Sequence, residues 1–219
     1  MSGRAAILAS IRAQLGRKAA SPSRVAELEA GLAAPVAKVL PARAQGAPED
    51  WPARFVEMAE FSAATIATLP DMAAVPQAVA RFLAGHNLPA RAVAAPALDG
   101  LDWSLAPSLS LRFGTALPED VVGVTRAYAG VAETGTLVQR SGPDTPTGIN
   151  FLPETHVVIL RQADLVGSYE AVWARLRQDG ALPRTVNLIT GPSRTGDIEQ
   201  EILVGVHGPR RLHILLIEA

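Results

Sequence analysis

Apolar positions along the chain follow a helical rhythm in the first third and a strand rhythm in the last. Ile7, Leu8, Ile11 and Leu15 recur at spacings of three and four, with Arg4, Arg12 and Arg17 elsewhere around the wheel, and predict an amphipathic arm over residues 3–17. The rhythm is lost from Ala19 to Asp50, where Ala is frequent and Pro22, Pro35, Pro41 and Pro48 interrupt regular structure, as in a linker or wrapping segment. It resumes with Trp51, Phe55, Met58, Ser62 and Ile66 on one side of a helix expected to open at Asp50, ahead of Pro52, and to stop at Pro70. Val75, Val79, Phe82 and Leu83 repeat the pattern over residues 74–85. The chain is therefore expected to divide into an arm and linker, residues 1–49, and a folded domain, residues 50–219.

Beyond residue 90 the period changes. Arg91 to Ala95, Ser108 to Phe113, Val121 to Val124 and Gly135 to Gln139 are short runs of β-forming residues between turn signals. Val157 to Leu160 is a continuous apolar run, the mark of a buried strand; Val186 to Ile189 reads as the next buried strand and Leu212 to Ile217 as a further strand. Between them, Tyr169, Val172, Trp173 and Leu176 predict one helix. Ile198, Ile202 and Leu203 predict a second from about Gly196 to Val204, with Gly205 as its cap. Alternation of this kind predicts an α/β fold in which the three buried runs form a parallel unit with helices on its faces.

Composition narrows the function classes. The chain has 219 residues, enough to bury a substantial core. A formal net charge of -1 gives no excess of Lys and Arg for nucleic acid or an anionic membrane. No apolar run approaches a bilayer-spanning length, so a soluble, unexported protein is expected. Cysteine is absent, which removes disulfides, thiol nucleophiles and thiolate ligands for zinc or iron–sulfur clusters. The four histidines, at 86, 156, 207 and 213, lack paired metal-ligand spacing. No metal and no resident cofactor are expected.

Three places carry candidate chemistry. The first is Thr190 to Thr195, expected to be a strand-to-helix turn at the carboxyl edge of a parallel sheet, where ligands collect. Gly191 allows close backbone approach, Ser193 and Thr195 offer hydroxyls, and Arg194 offers a fork suited to a carboxylate or phosphate. Ser193, Thr195, Asp197 and Glu199 are equally what a well-capped helix needs, but a cation such as Arg194 has no capping role there. The second is Glu133-Thr134-Gly135-Thr136, where a carboxylate beside two hydroxyls is a candidate base or nucleophile, or else a turn and a bulge. The third is His207-Gly208-Pro209, with His207 as an acid/base group or a hydrogen-bonded loop residue. The polar loop Gly142 to Asn150 is a lid or a long turn. The chain has neither a Walker sequence, a dinucleotide fingerprint nor a nucleophile elbow.

Together these motifs carry a resemblance. Val-Ala-Glu-Thr-Gly-Thr at 131–136, Pro153 with His156 before Val-Val-Ile-Leu, Thr-Gly-Pro-Ser-Arg-Thr-Gly-Asp-Ile-Glu at 190–199 and Gly-Val-His-Gly-Pro at 205–209 resemble, in this order, the lactate-utilisation (LUD) domain. Size, the N-terminal arm and the lack of Cys resemble its lactate-utilisation protein C branch. Gly196 stands where many relatives carry Ala. The resemblance implies a fold of the glucosamine-6-phosphate deaminase, ribose-5-phosphate isomerase and CoA transferase type. It also implies a cytoplasmic role, with iron–sulfur partner proteins, in oxidising L-lactate to pyruvate.

Two functional readings follow. In one, the chain is a non-redox subunit that binds a small carboxylate, or docks its partners, through Glu133 to Thr136, Ser193 to Thr195 and His207. In the other, it is a free-standing isomerase- or CoA-transferase-like enzyme acting on a phosphorylated or acyl-CoA substrate, with Glu133 as base or nucleophile. The arm is expected to dock on its own domain or on a second subunit of a homo-oligomer.

Overall fold

The computed structural model describes residues 3–16, 19–33, 39–196 and 202–219. Contacts group residues 1–39 apart from residues 40–219. The first group contains helices α1 (Gly3–Gln14) and α2 (Pro22–Ala33). α2 lies where the Pro and Ala content predicts a linker; Pro22 occupies its first position, where a missing N–H costs nothing.

The second group is built on a six-stranded, all-parallel sheet. Its strands are β1 (Thr65–Leu69), β2 (Arg91–Ala94), β3 (Ser110–Phe113), β4 (Val122–Arg126), β7 (Thr155–Arg161) and β12 (Arg211–Ile217), in the order β1-β12-β7-β4-β2-β3. Helix α4 (Val75–Gly85) packs Val79, Phe82 and Leu83 against Val157, Ile159, Leu215 and Ile217 on one face. Helix α3 (Trp51–Phe61) packs Phe55 and Ala59 against Val158, Leu160, Ile214 and Leu216 on the other. Adjacent residues of β7 and β12 thus enter opposite cores, which is why Val157 to Leu160 and Ile214 to Ile217 are apolar in succession instead of alternating. Phe55 is fully buried, worth roughly 2–3 kcal/mol of transfer free energy. The α/β fold with a parallel core expected from the sequence is present.

A four-stranded mixed sheet stands beside the α3 core. Its strands are β5 (Ala129–Val131), β6 (Thr136–Arg140), β8 (Leu165–Val166) and β9 (Val186–Ile189), in the order β8-β5-β6-β9. Leu137 faces the α3 core, whereas Val138 faces a cluster with Val172 and Leu176 of helix α5 (Tyr169–Gln178). Two further strands, β10 (Arg194–Gly196) and β11 (Ile202–Val204), form an antiparallel pair.

Three expectations are corrected. Val186 to Ile189 does not join the parallel unit: β9 is an edge strand, paired antiparallel with β6 and only half-buried. The helix expected over 196–204 is replaced, at both described ends, by the β10 and β11 strands; Asp197, Ile198 and Glu199 lie outside the described residues. The helix expected to run through Ser62 and Ile66 ends at Phe61. Ala63 takes a positive φ of 65°, and Thr65–Leu69 continues as edge strand β1 beside β12. Among the described residues no helix is long and apolar enough to cross a membrane.

Candidate functional site

Thr190 to Arg194 and His207 to Pro209 line one cleft of about 550 Å³. Backbone bonds lock the two loops together: Ser193 N–H donates to the Pro209 carbonyl at 2.8 Å, and Gly205 N–H donates to the Ser193 carbonyl at 3.0 Å. The site lies beside the amino-terminal ends of β7 and β12, since His156, Pro209 and Leu212 line it. The expected position at a carboxyl edge and a helix N-terminus is thereby overturned, because β9 belongs to the other sheet and the described residues on either side of 197–201 pair as antiparallel strands. An anion in this cleft would be held by side chains and not by a helix dipole.

Of the residues singled out in the sequence, Gly191, Ser193, Arg194 and His207 line this cleft. Arg194 and His207 are exposed, and among the described residues Arg194 makes no ion pair. Thr195 follows on β10 and is outside the lining. Gly191, at φ 73°, has a structural duty: a Cβ there would stand 2.0 Å from the Ser62 carbonyl oxygen, so no other residue lets this loop seat against the end of α3.

The Glu133 to Thr136 motif sits behind the cleft wall. Thr136 Oγ1 contacts Thr190 Oγ1 at 2.6 Å, Tyr169 Oη at 2.7 Å and Thr134 Oγ1 at 2.7 Å. Gly135, at φ 65°, presses on α3; a Cβ would lie 2.2 Å from the Ala59 nitrogen. Glu133 is buried, its Oε2 3.6 Å from Arg43 Nε and without a hydrogen bond. It does not line the cleft. The polar loop expected as a lid or turn is pinned: Ile149 is fully buried against Gly123, and Ala97 N–H donates to the Asp144 carbonyl.

His156 is the residue to which the sequence assigned no role. It is fully buried, and burial pushes its pKa down to about 3, so the ring is neutral. Gln139 Nε2 donates to Thr125 Oγ1 at 2.9 Å, and Thr125 Oγ1 lies 2.8 Å from His156 Nε2. With the Thr125 hydrogen assigned to Nε2, the ring proton falls on Nδ1, which has no partner. The signal available in the sequence was a histidine directly ahead of the apolar run Val157 to Leu160.

A second cleft, of about 290 Å³, opens at the carboxyl ends of β4 and β7, around Arg126, Arg161 and Asp164. Burial alone would raise the Asp164 carboxyl, but hydrogen bonds and charge from Arg161 and Arg175 outweigh it and hold its pKa below the ordinary value. None of these residues stood out in the sequence, because they are scattered over fifty positions. Among the described residues no three His, Asp or Glu gather as a metal site.

Comparison with known proteins gives the same outline. Residues 116–217 match the LUD domain family. The chain is 36% identical over 144 residues to Lactate utilization protein C of Exiguobacterium sp., covering 63% of this chain and 61% of that one. It is 35% identical over 100 residues to Lactate utilization protein C of Bacillus subtilis, covering 44% and 42%. The chain thus spans about three fifths or less of the length of these curated relatives. A crystal structure of a DUF162-family protein from Deinococcus radiodurans superposes with a TM-score of 0.55 at 22% identity, over 78% of this chain and 99% of that one, a likeness of fold.

Proposed function

Since residues 116–217 belong to the LUD domain family, we propose that the chain serves a cytoplasmic lactate-utilisation system as a non-redox subunit that binds a small carboxylate in the Arg194–His207 cleft. One observation carries this reading: Arg194, at the start of β10, and His207, just past the end of β11, line the same cleft. An arginine fork pairs with a carboxylate in two parallel hydrogen bonds, and the neighbouring Ser193 and His207 can engage a hydroxyl or keto group one carbon away. Arg194 and its neighbours therefore suit a 2-hydroxy or 2-keto acid.

Oxidation of lactate to pyruvate releases two electrons and two protons. A chain without cysteine has no thiolate to hold an iron–sulfur cluster, so the electrons leave through partner proteins that carry one. The cleft rim supports docking of such a partner: Phe61 is 83% exposed and stands with Phe151 and Leu188 beside the opening. Exposed apolar groups clustered at a cleft mark interaction surfaces. Reconstitution tests the reading. Lactate-dependent reduction of an acceptor dye should require this chain together with its iron–sulfur partners, and should fall at least tenfold with Arg194→Ala. Turnover by the isolated chain, or indifference to Arg194→Ala, contradicts it.

A further inference from the structure

The second cleft lies at the position where an open parallel sheet ordinarily receives ligands, outside the carboxyl ends of its strands. Arg126 and Arg161 are the last residues of the neighbouring strands β4 and β7. Arg140 ends β6, and Arg175 comes from α5. Their side chains are 34–46% exposed, so all four reach the cleft while keeping contact with water.

Two carboxylates accompany them. Asp164 is buried and takes Arg161 Nε at 2.9 Å, Arg175 Nη2 at 2.9 Å and Arg126 Nη2 at 3.4 Å. Asp179 takes Arg140 Nη1 at 2.9 Å and Tyr128 Oη at 3.0 Å. Four guanidinium groups against two carboxylates leave a surplus of two positive charges. Each guanidinium has five N–H donors, and these pairings use only one or two apiece. Two of the arginines are also fixed in direction, since Arg140 and Arg175 stack on the Tyr128 ring at 4.5 and 4.7 Å. A purely structural ion-pair network would balance its charges and spend its donors. This one holds both in reserve, pre-oriented around a cavity.

We propose that the cleft between β4, β7, β6 and α5 is a binding site for a phosphate monoester dianion, held by Arg126, Arg140, Arg161 and Arg175. Two negative charges match the surplus. Three terminal oxygens suit converging forks better than a single carboxylate does. Buried Gln139 supplies a polar wall. The site is separate from the Arg194–His207 cleft, and its occupancy does not depend on the carboxylate reading.

Calorimetric titration of the full chain with inorganic phosphate and with glycerol 2-phosphate, at matched ionic strength, tests the proposal. Saturable binding is expected for both. The double variant Arg126→Gln/Arg140→Gln removes the arginines least involved in holding Asp164, and should weaken binding at least tenfold while leaving the unliganded unfolding temperature within about 3 °C. Arg194→Gln should leave phosphate binding unchanged. Three results overturn the proposal: no saturation up to about 10 mM phosphate, equal affinity in the double variant, or loss of binding in Arg194→Gln instead. Malonate binding tighter than both phosphates would reassign the site to dicarboxylates and overturn the phosphate assignment.

Discussion

Thr136 Oγ1 and Thr190 Oγ1 lie 2.6 Å apart, and this contact joins the two sequence motifs that flank the cleft. With Tyr169 and Thr134 at 2.7 Å, the Thr136 hydroxyl has three partners, the number that one donor and two acceptor sites can serve. Thr136→Val keeps the shape and strands the other hydroxyls. It should cost about 1–3 kcal/mol in urea unfolding and loosen the Thr190 loop. A loss below about 0.5 kcal/mol would mean that water replaces the network without penalty.

Gly135→Ala and Gly191→Ala test the separation of packing from binding. Each adds a methyl group close against backbone, Gly135 at 2.2 Å from the Ala59 nitrogen and Gly191 at 2.0 Å from the Ser62 carbonyl oxygen, at a positive φ. Both should destabilise by about 3 kcal/mol or more, seen as a fall in unfolding temperature before any ligand is added. Unchanged stability with lost ligand binding would move these glycines to a direct role.

Falling pH should destabilise the protein through two histidines. Burial holds His156 at a pKa of about 3, and burial with the nearby His86 charge holds His213 at about 4. The unfolded chain, with ordinary values near 6.5, takes up these protons first. Stability is therefore complete above about pH 6.5 and declines as pH falls toward 4 for His213 and toward 3 for His156. Each histidine contributes a slope of about 1.4 kcal/mol per pH unit across its own window. Denaturant midpoints should stay level from pH 7.5 to about 6.5 and fall steadily from there to pH 4. His213→Gln should flatten the decline, and an identical slope in that variant would show that His213 plays no part in it.

Asp164→Asn should destabilise by about 2–3 kcal/mol, less than for a fully dry pair because its three arginines are partly solvated. Chemical denaturation checks this. A change under about 0.5 kcal/mol would class the network as surface pairing.

The sequence pattern was informative where one element has one dominant environment. β7 and β12 were legible because both faces are buried, and α4 because Val75, Val79 and Phe82 keep a single stripe. It misled where local spacing imitates another structure. Met58, Ser62 and Ile66 continue the α3 period, yet the chain turns at Ala63, and the β-branched run Thr65-Ile66 was the available strand signal. Ile198, Ile202 and Leu203 sit at helical spacing, but the run Ile202-Leu203-Val204 pairs as a strand. Apolar content predicted that Val186–Ile189 is a strand but not its partner, because sheet membership is a long-range choice. The same limit applies to sites. Arg194 and His207 were legible as motifs close together in the chain, whereas the arginine cleft assembles only in three dimensions.

Whether Arg194 holds a small carboxylate in the cleft is tested most directly by calorimetric titration of L-lactate and pyruvate into the chain and into Arg194→Ala. Saturable binding of either acid, weakened at least tenfold in Arg194→Ala with stability unchanged, is the predicted result; equal binding by both proteins, or none by either, contradicts it.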